Sequence, residues 1–425
     1  MMQENDAGIT ALQVVEKGGV TSARGFLAGG IHAGFRRDIT RLDMALVESE
    51  ELCACAAAFT TNVFCAAPVT VSREHLDGIS EGFARAVVIN SGNANAATGI
   101  KGLHAARTAC DYTAEVVGCA AEDVLIASTG VIGVHLPLDP FRDALPLLQR
   151  CVSSEGGAQA ARAIMTTDTV SKECAVTYTS CDPRHAGMQV TVGGMVKGSG
   201  MIMPNMATMI SVITTDAPLA PPTAHAALRT AVDKSFNKVT VDSDTSTNDT
   251  CILMASAQAP GSATGGAIEE GTLAYEEFCT AIEFVCVDLA RKIALDGEGA
   301  TRLITVTVTG AAHDADADLA ARAIANSPLV KTAVFGHDAN WGRIAAALGK
   351  SGARFEQSNV SIDIMGFPVC RHGLTVAFDE EESLRRFEEK EITIMADLGE
   401  GCAKTTLWTC DFSYEYVSIN GDYRS

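Results

Sequence analysis

No apolar run in this 425-residue chain approaches the ~18 uninterrupted residues that a membrane-spanning helix needs. The first residues, Met1-Met2-Gln3-Glu4-Asn5-Asp6, lack the basic and apolar regions of a secretory signal. Basic charge is scarce as well: 32 Lys and Arg stand against 52 Asp and Glu, a net charge of −20. Such a chain offers no basic field to nucleic acid or to an anionic membrane, so neither is expected as a partner. Its 14 cysteines contain no CxxC, and Cys53 and Cys55 have no second pair at metal spacing. Cys110, Cys119, Cys251 and Cys286 sit among apolar neighbours as small core residues. The expectation is reduced thiols, no bound metal, and a soluble cytoplasmic protein. The glycines of segment 25–34 lack GxGxxG order and are not read as a dinucleotide loop.

What is present is 47% hydrophobic and 20% charged residues, the balance of a folded globule with two or three lobes of ~150 residues each. Apolar runs at 56–60, 69–71, 86–89, 303–309 and 330–335 read as strands. Helices are expected at 103–117, 158–164, 223–234, 273–295, 317–325 and 378–390. In the longest of these, Phe278, Ile282, Val285, Leu289 and Ile293 fall on one face. Gly193-Gly194 reads as the turn of a hairpin between 188–192 and 195–196. The alternation makes the fold class α/β.

Chemistry concentrates in a few polar stretches. In the middle of the chain, Lys197-Gly198-Ser199-Gly200 forms a glycine-rich loop, and Pro204-Asn205 suggests a turn. Ala207-Thr208 then opens the apolar run Met209-Ile210-Ser211-Val212-Ile213. A threonine there is compatible with the plain head of a core strand. It is also compatible with self-cleavage, in which the hydroxyl attacks the Ala207 carbonyl and hydrolysis frees Thr208 as an N-terminal nucleophile carrying its own base. Upstream, the strand at 124–127 ends in Ser128-Thr129-Gly130, a hydroxyl beside a glycine amide. That pair is either a strand-to-loop turn or a two-donor oxyanion hole. The run Asp242-Ser243-Asp244-Thr245-Ser246-Thr247-Asn248-Asp249 lacks the glycine and closing glutamate of a calcium loop, so a network of side-chain-to-backbone bonds is expected. His337-Asp338 invites a triad reading, but adjacent residues seldom orient one another that way.

The stretch from Lys197 through Pro204-Asn205-Met206-Ala207-Thr208-Met209 resembles the self-cleaving ornithine acetyltransferase (glutamate N-acetyltransferase) family of arginine biosynthesis, and the resemblance covers essentially the whole chain. It implies a layered α/β sandwich with two sheets covered by helices, cut into an alpha chain 1–207 and a beta chain 208–425. Thr208 would be the nucleophile, Thr129 and Gly130 the oxyanion hole, and Thr166, Lys197, Glu298, Asn420 and Ser425 further substrate contacts. The family's tail ends in a threonine where Ser425 stands here, a change that keeps the hydroxyl. The implied substrates are N-acetylornithine and glutamate, and the implied assembly is a heterotetramer of cut chains. No cofactor is implied; acetyl-CoA stays open as a second acetyl donor, and the separate roles of Lys197 and Glu298 stay open too. Two other readings are compatible with the same residues: a self-processing amidohydrolase or aminopeptidase, and a non-enzymatic amino-acid-binding protein.

Overall fold

The computed structural model describes residues 11–79, 81–203, 209–262 and 265–422. They fall into two compact units, the larger drawn from segments up to residue 198, 209–237 and 245–289, the smaller from 199–203, 238–244 and 290–422.

The larger unit is built on a nine-stranded sheet. Its strands are β1 (Gln13–Val14), β2 (Phe26–Ile31), β3 (Met44–Phe59), β4 (Phe83–Asn93), β5 (Val124–Val131), β6 (Lys172–Thr179), β7 (Gln189–Lys197), β8 (Ile210–Thr215) and β9 (Thr250–Ala255). The spatial order is β1-β6-β7-β8-β9-β3-β4-β5, with β2 alongside β3. The pairs β4–β5 and β8–β9 are parallel and the others antiparallel. Alternation along the strands divides the core between two faces. Ala86, Val88, Val124 and Ile126 pack with Ala106 and Ala109 of helix Gly99–Val117 and Leu145 of helix Asp139–Cys151. Val87, Ile89, Leu125 and Ala127 cluster instead with Ala160 and Ala163 of helix Gly157–Ala163. Every residue of β8 and β9 is buried, and β9 is apolar along most of its length, as in sheets covered on both faces.

The smaller unit holds six strands: β10 (Leu303–Ala311), β11 (Ser361–Ile364), β12 (Phe367–Arg371), β13 (Leu374–Thr375), β14 (Glu391–Asp397) and β15 (Ala403–Cys410). Their order is β13-β12-β11-β14-β10-β15. Ala317, Ala321 and Ile324 of helix Asp314–Ala325 and Val334 of helix Pro328–Phe335 share one core with Val306, Ile362 and Ile394 of this sheet.

Several expectations need correcting. Segments 69–71 and 330–335 are helical, lying in Ala67–Glu74 and Pro328–Phe335. Each helix has proline in its first turn, where the missing N–H costs nothing, and Ser327 caps the second by accepting from Val330 N. Gly193-Gly194 makes no turn; β7 runs straight through it. A Cβ on Gly193 would overlap the Gly19 carbonyl, so Gly193 serves a close approach of backbone. Segment 56–60 belongs to the 16-residue strand β3. The mixed α/β class and the two sheets stand as expected. The strands on either side of residue 207, β7 and β8, pair antiparallel with Lys197 opposite Ile210. Among the described residues the cysteines form no disulfide, and no helix is long and apolar enough to cross a membrane.

Candidate active site

In the larger unit the parallel strands β4 and β5 run out together, with Ser91 opposite Thr129 and Gly92 opposite Gly130. Gly130 has φ +137°, and a Cβ there would overlap the carbonyl carbon of Gly92, so only glycine allows the two backbones to meet. Thr129 is buried, and its hydroxyl accepts from Lys197 Nζ at 3.4 Å. Lys197 is the last residue of β7 and is itself buried.

Around this contact lies a dense set of buried polar groups. The Asp168 carboxylate accepts from Lys172 Nζ at 2.7 Å, from the Gly198 N–H at 2.7 Å and from the Thr166 N–H at 2.9 Å. The carbonyl oxygens of Met165 and Thr166 accept from Arg36 at 2.6 Å and Arg41 at 2.7 Å. Asp249, fully buried, accepts from the Met209 N–H at 3.0 Å. Asn248 donates to the Ala94 and Ser128 carbonyls at 2.6 and 2.8 Å, so this part of the hydroxyl-rich run is the side-chain-to-backbone network expected of it.

The electrostatics follow from burial and neighbours. Burial works against ionised Asp168, but Lys197 and Lys172 outweigh it and hold the carboxyl well below its usual range. Burial pushes Asp249 well above that range, opposed by the Met209 N–H and by Lys197. Burial likewise pulls Lys197 down, opposed by Asp168 and then assisted by Lys172. Lys197 thus lies in the field of Lys172 and Arg36 as well as of Asp168. In a chain of net charge −20 this grouping of cations suits a ligand carboxylate.

In the smaller unit Glu298 follows helix Leu273–Leu295 in the turn Gly297-Glu298-Gly299. Its N–H donates to the Ser199 carbonyl at 3.0 Å, and its side chain is buried. A Cβ on Gly200 would overlap the Glu298 carboxyl, so that glycine gives the side chain its room. Asn420 Nδ2 donates to Glu298 Oε2 at 2.8 Å. Asp242 accepts from the Met201 and Ile202 N–H groups at 2.6 and 2.8 Å. His337 meets Arg302 Nη2 at 3.3 Å through Nε2, and Asp338 accepts from Asn340 at 2.9 Å. Neither partner pairing is that of a triad.

The structure therefore brings Lys197 to Thr129 within one unit, places Thr166 on the same Asp168 that holds Gly198, and brings Asn420 to Glu298 within the other. Ala207, Thr208 and Ser425 lie outside the described residues. Asp249 closes the run in which side-chain-to-backbone bonds are expected, and its Met209 contact is one; sequence reasoning missed Asp168, Lys172 and Arg36 as partners. The acid and base four residues apart, Asp168 and Lys172, were the one local signal for any of them. Among the described residues no three His, Cys, Asp or Glu side chains gather to hold a metal ion.

The larger unit is thus a mixed α/β body with a lysine-rich polar centre where a parallel strand pair ends. The ArgJ family model matches residues 27–425, and the chain belongs to the ArgJ family. It is 47% identical over 412 residues to the arginine biosynthesis bifunctional protein ArgJ of Caldanaerobacter subterraneus, covering 96% of this chain and 99% of that one. The protein of the same name from Symbiobacterium thermophilum is 46% identical over 409 residues, again covering 96% and 99%. Among solved structures, the ornithine acetyltransferase of Mycobacterium tuberculosis complexed with ornithine is 35% identical, at TM-score 0.41, covering 46% of this chain and 98% of that one.

Proposed function

We propose that this protein is an acetyltransferase of arginine biosynthesis that moves the acetyl group of N2-acetyl-L-ornithine to L-glutamate through an acetyl-enzyme. The observation that carries the reading is the end-to-end match, at 47% identity, with a relative named for arginine biosynthesis. The buried Lys197–Thr129 contact beside the Lys197–Met209 motif supports the site within it.

In the first step the Thr208 hydroxyl attacks the Ala207 carbonyl, and hydrolysis of the ester yields chains 1–207 and 208–425. The strand pairing supports a cut that leaves the halves together: β8 lies between β7 and β9, and β9 pairs with β3. In the second step the freed α-amine, with a reference pKa of about 7.7–8.0, takes the proton of its own hydroxyl. Thr208 Oγ then attacks the acetyl carbonyl of N-acetylornithine. Thr129 and the Gly130 amide hold the oxyanion, and ornithine leaves with the proton on its α-nitrogen. The α-amine of glutamate attacks the resulting ester, forms the new amide and returns Thr208 to its hydroxyl. Lys197 pairs with a substrate carboxylate, Thr166, Asn420 and Ser425 make hydrogen bonds to substrate, and Glu298 meets an amine or moves a proton. The word bifunctional in the relatives' name supports a second activity, acetyl-CoA-dependent acetylation of glutamate. The working form is a cytoplasmic heterotetramer with no metal or resident cofactor.

The test combines two measurements on the purified protein. Denaturing electrophoresis with N-terminal sequencing should give two chains, the second beginning at Thr208, and Thr208→Ala should give one. Acetyl transfer from N-acetylornithine should show parallel double-reciprocal lines against glutamate. An intact chain with full transferase activity overturns the mechanism, and simple deacetylation without transfer to glutamate overturns the activity.

A further inference from the structure

The C-terminal helix Tyr414–Gly421 has no buried residue, and Tyr414 and Val417 are 84% and 72% exposed. A helix of eight residues is too short to stand on its own propensity, so it must be fixed by a few contacts. Three are visible. Ser413 Oγ donates to the Gly299 carbonyl at 2.5 Å, and the Tyr414 ring meets Phe335 edge-on at 5.5 Å. The third runs through Lys331, one of the largest fully buried side chains of the protein.

Lys331 Nζ donates to Thr409 Oγ1 at 2.6 Å and to the Cys410 carbonyl, and it lies 4.5 Å from the centroid of the Phe412 ring. Burial weighs against the ammonium, and the Asp411 and Asp242 carboxylates oppose that cost, so the buried amine is kept by specific partners where an apolar side chain would fill the same space. The contacts continue outward. The Phe412 N–H donates to the Lys331 carbonyl at 3.4 Å, and its ring stacks on Tyr416 at 4.7 Å and 22°. The Tyr416 carbonyl accepts from Asn420 Nδ2 at 3.0 Å, and the same amide nitrogen donates to Glu298 Oε2 at 2.8 Å.

We infer that Lys331 is a positioning residue, whose buried amine grips the end of β15 and the Phe412 ring and thereby sets the helix from which Asn420 reaches Glu298. The inference deepens the proposed function, on which it rests for the role of Glu298 and Asn420 toward substrate. Lys331→Met keeps the stem and removes the amine; Phe412→Leu keeps the amine and removes the ring. Each variant, as full purified protein, should speed amide exchange over 416–422 and raise KM for the amino-acid substrates about tenfold, with kcat changed far less. Combined with Asn420→Ala, Lys331→Met should add almost nothing further to KM, because both act through one contact. A purely structural lysine would instead lower thermal stability and leave KM and the exchange of this helix alone. Unchanged exchange and KM in folded Lys331→Met, or KM effects that multiply with Asn420→Ala, overturn the proposal. If Lys331→Met does not fold, Phe412→Leu decides by the same readouts. If the parent protein transfers no acetyl group, the functional reading fails while the exchange measurement still decides the role of Lys331.

Discussion

Lys197 and Thr129 meet at 3.4 Å, ammonium to hydroxyl, although 68 residues separate them in the chain. The contact joins the last residue of β7 to the hydroxyl proposed as oxyanion donor. Thr129→Val keeps the β-branched shape and removes only that hydroxyl. With one of two donors lost, kcat should fall by about 10²–10³. Stability should fall as well, by about 1–3 kcal/mol, because the buried Lys197 ammonium loses an acceptor although the side chain still fills its place. Steady-state kinetics beside a thermal melt decides, and a full kcat in the valine variant refutes the assignment.

Lys197→Met separates binding from chemistry. A hydrogen bond to a charged group contributes about 1.5–3 kcal/mol, so losing the proposed carboxylate partner should lower kcat/KM by roughly 10- to 100-fold. Most of the change should appear in KM. Equal loss from kcat with KM intact would place Lys197 at the reacting acetyl group instead. Substrate-saturation curves for both amino acids distinguish the outcomes.

Asp168 is tested by charge and by pH. Its folded carboxyl lies well below the usual value of 3.8 through Lys197 and Lys172, which overcome the cost of burial. A carboxyl so depressed adds stability that is present above the unfolded value and is lost as pH falls below about 4. Asp168→Asn strands two buried ammonium groups and should destabilise the protein by about 3–5 kcal/mol at pH 7. The deficit should shrink as pH falls below about 4, because the unfolded parent chain then binds a proton at this carboxyl that the folded state does not. Denaturant melts of both proteins at pH 7 and pH 3 measure it, and a deficit that stays constant would show that the charge is not what matters.

Fold and site differ in how legible they are in the sequence. The strands around Val88 and Ile126 and the helix Leu273–Leu295 were legible because local pattern and tertiary burial agree there. Segments 69–71 and 330–335 were misread because β-branched residues favour strands, while Pro68 and Pro328 in the first turn and the Ser327 cap favour helix. The turn expected at Gly193-Gly194 is a straight strand because the need for glycine there comes from Gly19, which lies far off in sequence. At the site, Lys197, Thr129 and Glu298 stood in recognisable motifs. Arg36 did not, since it comes from a remote segment and only the folded sheet gives it its neighbours.

Asp216 supplies a prediction that is independent of catalysis. It follows β8, and its carboxyl accepts from the Thr191 N–H at 2.7 Å and the Arg24 N–H at 3.4 Å. Burial nevertheless pushes it up to about 6, against a usual value of 3.8. With the folded value above the unfolded one, the native state holds a proton that the unfolded chain has released, and stability is lost as pH rises from about 4 to about 6. The loss at neutral pH comes to about 3 kcal/mol at most. Asp216→Asn cannot ionise and still accepts from Thr191, while its amide forfeits the Arg24 bond at a cost of about 1 kcal/mol. The variant should therefore exceed its parent by about 2 kcal/mol at pH 7.5 and show no advantage at pH 4. Urea melts across that range would record a difference that grows with pH and then levels off. An asparagine variant that is less stable at every pH would mean that Asp216 is held ionised in the folded protein.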